Sequence, residues 1–244
     1  MFVRLLYSQM TVRLSEIDAL RGIAVLGMIF FHAAFDMKLL GVLDFEPYGW
    51  PLIIFVRIVQ FLFLGLAGIS VALSSRKLGG QMKRGAWIFL CGMLVSLGTW
   101  IVFPEDFVKF GVLHFIGIAV PVVALFKGRS LAAMGAAVIS FMVGEYFLGF
   151  SVETEWLFPL GLLAPGFSSL DYFPIFPWLA APLIGLVLGE YVYGARRPVL
   201  ERIPGFRLFL GSPLARVGRH SLAIYLLHQP ILYFSLWGLL VLLR

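Results

Sequence analysis

Charge is scarce in this chain. Asp, Glu, Lys and Arg make up 13% of its 244 residues, where a soluble domain carries about 25%. Against that stand 61% hydrophobic residues and 24 Phe, more apolar surface than one water-facing core can bury. The shortage excludes a soluble globular enzyme, a disordered chain and a coiled coil, and leaves an all-α polytopic membrane protein. Cysteine is nearly missing as well: Cys91 is alone, so neither a disulfide framework nor a thiolate metal site can form within one chain. It lies in an apolar run and reads as a small buried filler. Internal repeats, low-complexity tracts and linkers able to separate two domains are absent, so residues 1–244 read as one transmembrane domain. A β-barrel, built from strands of about 10 residues, does not fit apolar runs about 20 long. The first run follows Asp18 without a small-residue cleavage site, which predicts a retained helix rather than a signal peptide.

Seven apolar runs reach spanning length, at 17–37, 50–74, 84–103, 107–126, 130–149, 174–195 and 220–243. The connections between them sort by charge. Arg4 and Arg13 precede the first run; Arg76, Lys77, Lys83 and Arg84 fill the second loop; Lys127 and Arg129 the fourth; Arg196, Arg197, Arg202, Arg207, Arg216 and Arg219 the sixth. These are 14 of the 19 basic residues. The alternate loops are acidic, with Asp36, Asp44, Glu46, Glu105, Asp106, Glu153, Glu155 and Asp171 against Lys38 alone. The positive-inside rule then predicts a cytoplasmic N-terminus, a C-terminus outside and an odd number of spans in a plasma membrane. The net charge of +6 reports this orientation rather than a nucleic-acid partner. The apolar stretch from Trp156 to Pro165, too short to span, reads either as an interfacial or re-entrant cap or as an ordinary interface loop.

Polar groups inside apolar runs are costly, so they face the bundle interior and suggest a site. At 100° per residue Asp18, Arg21, His32 and Asp36 share one stripe of the first helix, with Arg21 and His32 about 16 Å apart along the axis. Asp18 and Arg21 read either as an ion pair anchoring the helix end or as part of a cytoplasmic anion site. His32 reads either as a satisfied core histidine or as an outward-facing base. Arg57 with Gln60 on the second helix, and Lys109 with His114 on the fourth, lie at comparable outer depth. The last helix opens on Arg219, His220 and Ser221 and reaches Tyr225, His228, Gln229 and Pro230 near its middle. Glu145 and Glu190 read as capping groups near helix ends, and Gly185 with Gly189 as a small-residue packing face.

Histidines inside a bundle could bind a metal or haem, but no pair has the i, i+4 spacing on one helix, so no metal is expected. A proton-coupled transporter would show an inverted repeat or paired broken helices, and neither is present. An acyltransferase needs a base near the acceptor and a cationic clamp for a phosphorylated carrier. The first helix offers both, at a spacing that fits the reach of a pantetheine arm, on the order of 15–20 Å.

The segment Ser15-Glu16-Ile17-Asp18-Ala19-Leu20-Arg21-Gly22-Ile23-Ala24, with Phe31-His32 after it, resembles the first-helix signature of membrane acyltransferases. Three further segments follow in order: Phe110-Gly111-Val112-Leu113-His114-Phe115-Ile116-Gly117, Asp171-Tyr172-Phe173-Pro174-Ile175-Phe176-Pro177-Trp178, and Gly218-Arg219-His220-Ser221-Leu222-Ala223-Ile224-Tyr225-Leu226-Leu227-His228-Gln229-Pro230. Together they resemble the small prokaryotic membrane proteins related to the catalytic domain of heparan-α-glucosaminide N-acetyltransferase. The resemblance implies transfer of an acetyl group from cytoplasmic acetyl-CoA to an amine or hydroxyl, such as that of a sugar or glycan, on the far side. It puts His32 at the position of a catalytic polar residue on the first helix. The stripe on that helix then predicts a catalytic set of His32 as base, His114 or Asp36 to orient it and Arg57 at the developing oxyanion, and an acetyl-CoA set of Asp18, Arg21, Arg219, His220, Tyr225, His228 and Gln229. The chain has His32 where the heparan enzyme has Asn, and His114 where it has Gln, which leaves the acceptor chemistry open. A bundle this small also implies a homodimer. The competing class is a non-catalytic transporter or subunit that keeps the fold.

Overall fold

The computed structural model describes residues 14–46, 49–194, 198–199 and 213–243. The basic residues Arg4, Arg13, Arg196, Arg197, Arg202 and Arg207 lie outside the described residues. In chain order the helices are α1 (Ser15–Leu39), α2 (Leu52–Leu73), α3 (Leu78–Val102), α4 (Val112–Ala124), α5 (Ser130–Phe147), a 3₁₀ turn (Glu155–Leu160), α6 (Ile175–Trp178), α7 (Ala180–Tyr193), α8 (Pro213–Arg219) and α9 (Ser221–Leu242). Among the described residues there is no strand, only isolated bridges joining Phe110 to Tyr172 and Ser151 to Leu163. Six helical segments are long and apolar enough to cross a membrane, with α6 and α7 together forming one of them. Their outward sides carry Leu131, Trp87, Ile101, Met142 and Leu242, all more than half exposed, a surface that only lipid covers at this density. The protein is an all-α polytopic membrane protein.

The fourth predicted span is the one that shortens most. The apolar run 107–126 yields a helix only from Val112 to Ala124, 13 residues, or about 20 Å by the helical rise. Its start is fixed by capping. The Asp171 carboxylate accepts the Val112 N–H at 3.0 Å, and His114 Nδ1 accepts the Gly111 N–H at 3.2 Å. The residues before it, Lys109 included, form a loop whose backbone is tied to side chains: Thr99 Oγ1 accepts the Val108 N–H at 3.0 Å and Ser169 Oγ accepts the Lys109 N–H at 3.1 Å. Lys109 Nζ in turn donates to the Ser168 carbonyl at 2.6 Å.

The chain divides into two compact units, one covering residues 64–194 and the other residues 14–63 with 198–243; each is described by itself. In the first, α3 and α4 run antiparallel, with Gly85 against the Gly117 carbonyl and Gly92 against His114. The C-terminal part of α2 meets α7 through small residues: a Cβ on Gly185 would lie 2.1 Å from the Gly65 carbonyl oxygen and one on Gly68 1.9 Å from that of Pro182. Backbones that close require glycine, as the Gly185–Gly189 spacing predicts. Glu190 accepts the Gly128 N–H at 2.7 Å and the Ser130 hydroxyl at 2.6 Å, so it holds the start of α5, the capping role expected of it. The connection after α5 is a loop with a single 3₁₀ turn. It packs on the 103–111 loop through the Phe110–Phe158 ring contact and on itself through Phe158–Phe167. Tyr172 donates its hydroxyl to the Phe158 carbonyl at 2.6 Å, and burial pushes its phenol pKa above the ordinary tyrosine value.

In the second unit α1 packs on α8 and α9. Gly22 and Gly218 set the α1–α8 contact: a Cβ on Gly22 would sit 2.2 Å from the Leu214 carbonyl oxygen, and one on Gly218 1.7 Å from that of Asp18. Phe30 and Phe55 meet edge to face at 5.6 Å, which joins α1 to the first half of α2. On α9 His228 is the one buried residue.

Candidate functional site

The second unit gathers most of the polar residues singled out on α1 and α9. At the start of α1, Asp18 is 2% exposed, and its Oδ1 accepts from Arg21 at 2.8 Å. Its Oδ2 lies 3.8 Å from Arg219 Nε. The close glycine contact between α1 and α8 is what brings Arg219 to this acid. One buried carboxylate thus orients two guanidinium groups, and Arg219 keeps a half-exposed side chain. His220 follows at the N-cap position of α9, exposed to solvent. Glu16, fully buried beside this cluster in sequence, accepts the Val199 N–H with both carboxylate oxygens at 3.0 and 3.1 Å.

Further along the same two helices lie two cross-helix pairs. His32 Nδ1 is 3.0 Å from His228 Nε2, with ring centroids 4.9 Å apart. His228 Nδ1 is 2.6 Å from the Tyr225 carbonyl oxygen. One turn beyond His32, the Asp36 carboxylate accepts from Gln229 Nε2 at 2.8 Å. The Asp18–Arg219 contact lies just ahead of α9, and His32–His228 and Asp36–Gln229 then ascend both helices together, so α1 and α9 run parallel.

The carbonyl at the end of this chain determines where the protons are. A carbonyl oxygen only accepts, so His228 must carry its proton on Nδ1. In the neutral ring that leaves His228 Nε2 as an acceptor, and His32 must donate to it from Nδ1. His32 Nε2 is therefore the nitrogen with the lone pair. The His32 ring also hydrogen-bonds the Met28 backbone, so the Tyr225 carbonyl, acting through His228, is one of two backbone groups that bear on its tautomer.

His114 has a network of its own in the first unit. A backbone N–H only donates, so His114 Nδ1 accepts from Gly111, and Nε2 carries the proton that reaches Ser96 Oγ at 3.3 Å. The Ser96 hydroxyl then donates to the Val108 carbonyl. Both ring nitrogens are used in pinning the 103–111 loop to α3. Arg57 hydrogen-bonds Gln60 one turn on at 3.1 Å. Tyr225 stacks on Phe63 at 6.4 Å and offers its backbone carbonyl, rather than its hydroxyl, to the histidine chain.

Two features differ from the sequence reading. His228 and Gln229, grouped there with the acetyl-CoA residues, pair with His32 and Asp36. Asp36 hydrogen-bonds Gln229, and the ring found against His32 is that of His228. The register between α1 and α9 decides both, and no periodicity within either helix encodes it. Among the described residues no cluster of three or more His, Cys, Asp or Glu groups is placed to hold a metal ion.

No curated protein and no solved structure gives a significant match to the chain. A family model does, that of the catalytic domain of heparan-alpha-glucosaminide N-acetyltransferase, over residues 13–230. This span contains every residue of the two clusters, from Asp18 to Gln229, and the chain belongs to the heparan-alpha-glucosaminide N-acetyltransferase catalytic-domain family, a family of membrane acyltransferases.

Proposed function

We propose that the protein transfers an acetyl or short acyl group from acetyl-CoA on the cytoplasmic side to an amine or hydroxyl acceptor on the other. The observation that carries the reading is the His32–His228–Tyr225 chain, whose His32 shares α1 with Arg21. Eleven residues, about 16 Å of helix, separate Arg21 from His32. A pantetheine arm spans a similar distance, on the order of 15–20 Å. Arg21 and Arg219, held by Asp18, bind the CoA phosphates by charge-assisted hydrogen bonds. Acetyl-CoA supplies the thioester. His32 Nε2 takes the proton from the acceptor group as that group attacks the thioester carbonyl carbon. It then returns the proton to the departing CoA sulfur, so the C–S bond breaks as a C–N or C–O bond is kept. His228 stabilises the imidazolium that exists between these steps by accepting from its Nδ1–H.

The parallel pairing of α1 and α9 supports an odd number of crossings between and including them. On this reading α4 completes a seventh passage with the loops at its ends, and the basic end of α1 is cytoplasmic in a plasma membrane. The test is acetyl-CoA consumption by the protein in proteoliposomes. His32→Ala is expected to lower transfer at least a hundredfold while acetyl-CoA still raises the melting temperature. Full transfer by a folded His32→Ala variant would remove the base from the mechanism. Absence of any thermal shift of the wild type at millimolar acetyl-CoA would instead favour a non-catalytic membrane protein.

A further inference from the structure

Of the buried polar groups in the second unit, two atoms have no hydrogen-bond partner among the described residues: Asp36 Oδ2 and Gln229 Oε1. They belong to side chains already joined to each other by the Gln229 Nε2 to Asp36 Oδ1 bond at 2.8 Å. Asp36 is fully buried, and no cation lies within ion-pair distance of it among the described residues. Buried polar atoms are as a rule hydrogen-bonded, and buried carboxylates are paired. With Asp36 ionised both orphans are acceptors, so only a donor completes them. A phosphate or a carboxylate would repel them, which separates this place chemically from the arginine pair at Asp18.

The location is specific. Asp36 follows His32 by one turn on α1, about 6 Å along the axis, on the side away from Arg21. Gln229 directly follows His228. The two orphans therefore lie next to the base and beyond it, where the acceptor, not the donor, enters on the acyl-transfer reading.

We propose that Asp36 and Gln229 form the subsite that recognises the acceptor, and that this acceptor carries a second hydrogen-bond donor, a hydroxyl or an ammonium, besides the group that reacts at His32. Naming the ligand an acceptor rests on the acyl-transfer reading; the binding itself does not. A hydroxyl gives its one proton to Asp36 Oδ2 or Gln229 Oε1. An ammonium has enough N–H groups for both and neutralises the carboxylate as well. Monofunctional amines and alcohols reach His32 but leave both orphans unmet.

The test uses the full chain in detergent and two pairs of probes: 1,4-butanediol against 1-butanol, and 1,4-diaminobutane against 1-butylamine. Half-saturating concentrations come from thermal stabilisation, and acetyl transfer from acetyl-CoA is followed separately for the same probes. The bifunctional member of at least one pair is expected to half-saturate at about a tenfold lower concentration, the scale of one hydrogen bond to a charged group. The diol pair scores a hydroxyl and the diamine pair an ammonium. Of Gln229→Met and Asp36→Asn, each checked as monodisperse protein, at least one is expected to bring the ratio to about one. Equal half-saturation within both pairs in the wild type, as when an ordered water alone fills the place, would overturn the proposal. So would a ratio that survives both substitutions. A preserved binding ratio without acetyl transfer keeps the subsite and removes the acyl-transfer reading. Transfer without any ratio does the reverse.

Discussion

Replacing Asp18 by Asn probes the arginine cluster most sharply, because this one acid serves two cations with unequal exposure. Its side chain is 3% exposed, against 24% for Arg21 and 48% for Arg219. The Arg219 contact, at 3.8 Å and half in solvent, is discounted to at most about 0.5 kcal/mol, as for exposed pairs. The Arg21 bond, at 2.8 Å with its acceptor buried, belongs with hydrogen bonds to charged groups, at about 1.5–3 kcal/mol. Asn keeps an acceptor oxygen of the same size, so the loss is the charge and not the shape, and about 2 kcal/mol is expected. For a chain of this length that is a fall of roughly 4–8 °C in melting temperature, readable by differential scanning fluorimetry in detergent. A double-mutant cycle with Arg21→Gln isolates the pair, with an expected coupling of about 1.5 kcal/mol. A midpoint unchanged in Asp18→Asn, or effects of the two substitutions that simply add, would refute the reasoning. Both variants are also expected to weaken acetyl-CoA binding, Arg21→Gln more than Asp18→Asn, since Arg21 contacts the phosphates on the proposed mechanism and Asp18 only orients it.

Three further outcomes follow from the packing. Ser96→Ala removes the bridge between His114 Nε2 and the Val108 carbonyl, and is expected to cost about 1–3 kcal/mol, read as a lowered melting temperature with acceptor binding unchanged. A larger effect on acceptor binding than on stability would contradict the structural role of His114. Gly218→Ala places a methyl group 1.7 Å from the Asp18 carbonyl oxygen, so α8 must separate from α1 and acetyl-CoA stabilisation should vanish together with part of the fold, whereas Gly238→Ala, in open space, should leave both unchanged. Tyr172 keeps its proton in the folded state to a higher pH than when unfolded. Its contribution is therefore complete below the ordinary tyrosine value of about 10 and is lost as pH rises above it. Tyr172→Phe should flatten the fall in melting temperature above about pH 10, and an identical alkaline slope in the variant would contradict the buried phenol.

The sequence makes the membrane helices legible because hydropathy and length are local properties. The run 50–74 becomes Leu52–Leu73 and 220–243 becomes Ser221–Leu242. The failures have local causes of another kind. Helix α3 begins at Leu78 rather than 84, since Gly79, Gly80, Gln81 and Lys83 continue a helix past its apolar part. Helix α4 is cut short by a carboxylate from 59 residues further along the chain, Asp171, which no hydropathy window contains. The stripe of Asp18, Arg21, His32 and Asp36 on α1 was legible for the same reason as the helices, being a periodicity within one element. What each of those residues binds was not. His228 pairs with His32 and Gln229 with Asp36 through the register between α1 and α9, which no periodicity within one helix contains.

The central claim is that His32 Nε2 bears the lone pair, with the Tyr225 carbonyl fixing His228 and His228 accepting from His32 Nδ1. Nitrogen-15 NMR of the histidine-labelled protein tests it directly, with His32→Gln and His228→Gln spectra assigning the signals. The account predicts that both rings are neutral and protonated at Nδ1, and that His228→Gln alters the His32 signal. A His32 ring protonated at Nε2, with Nδ1 bare, would contradict it.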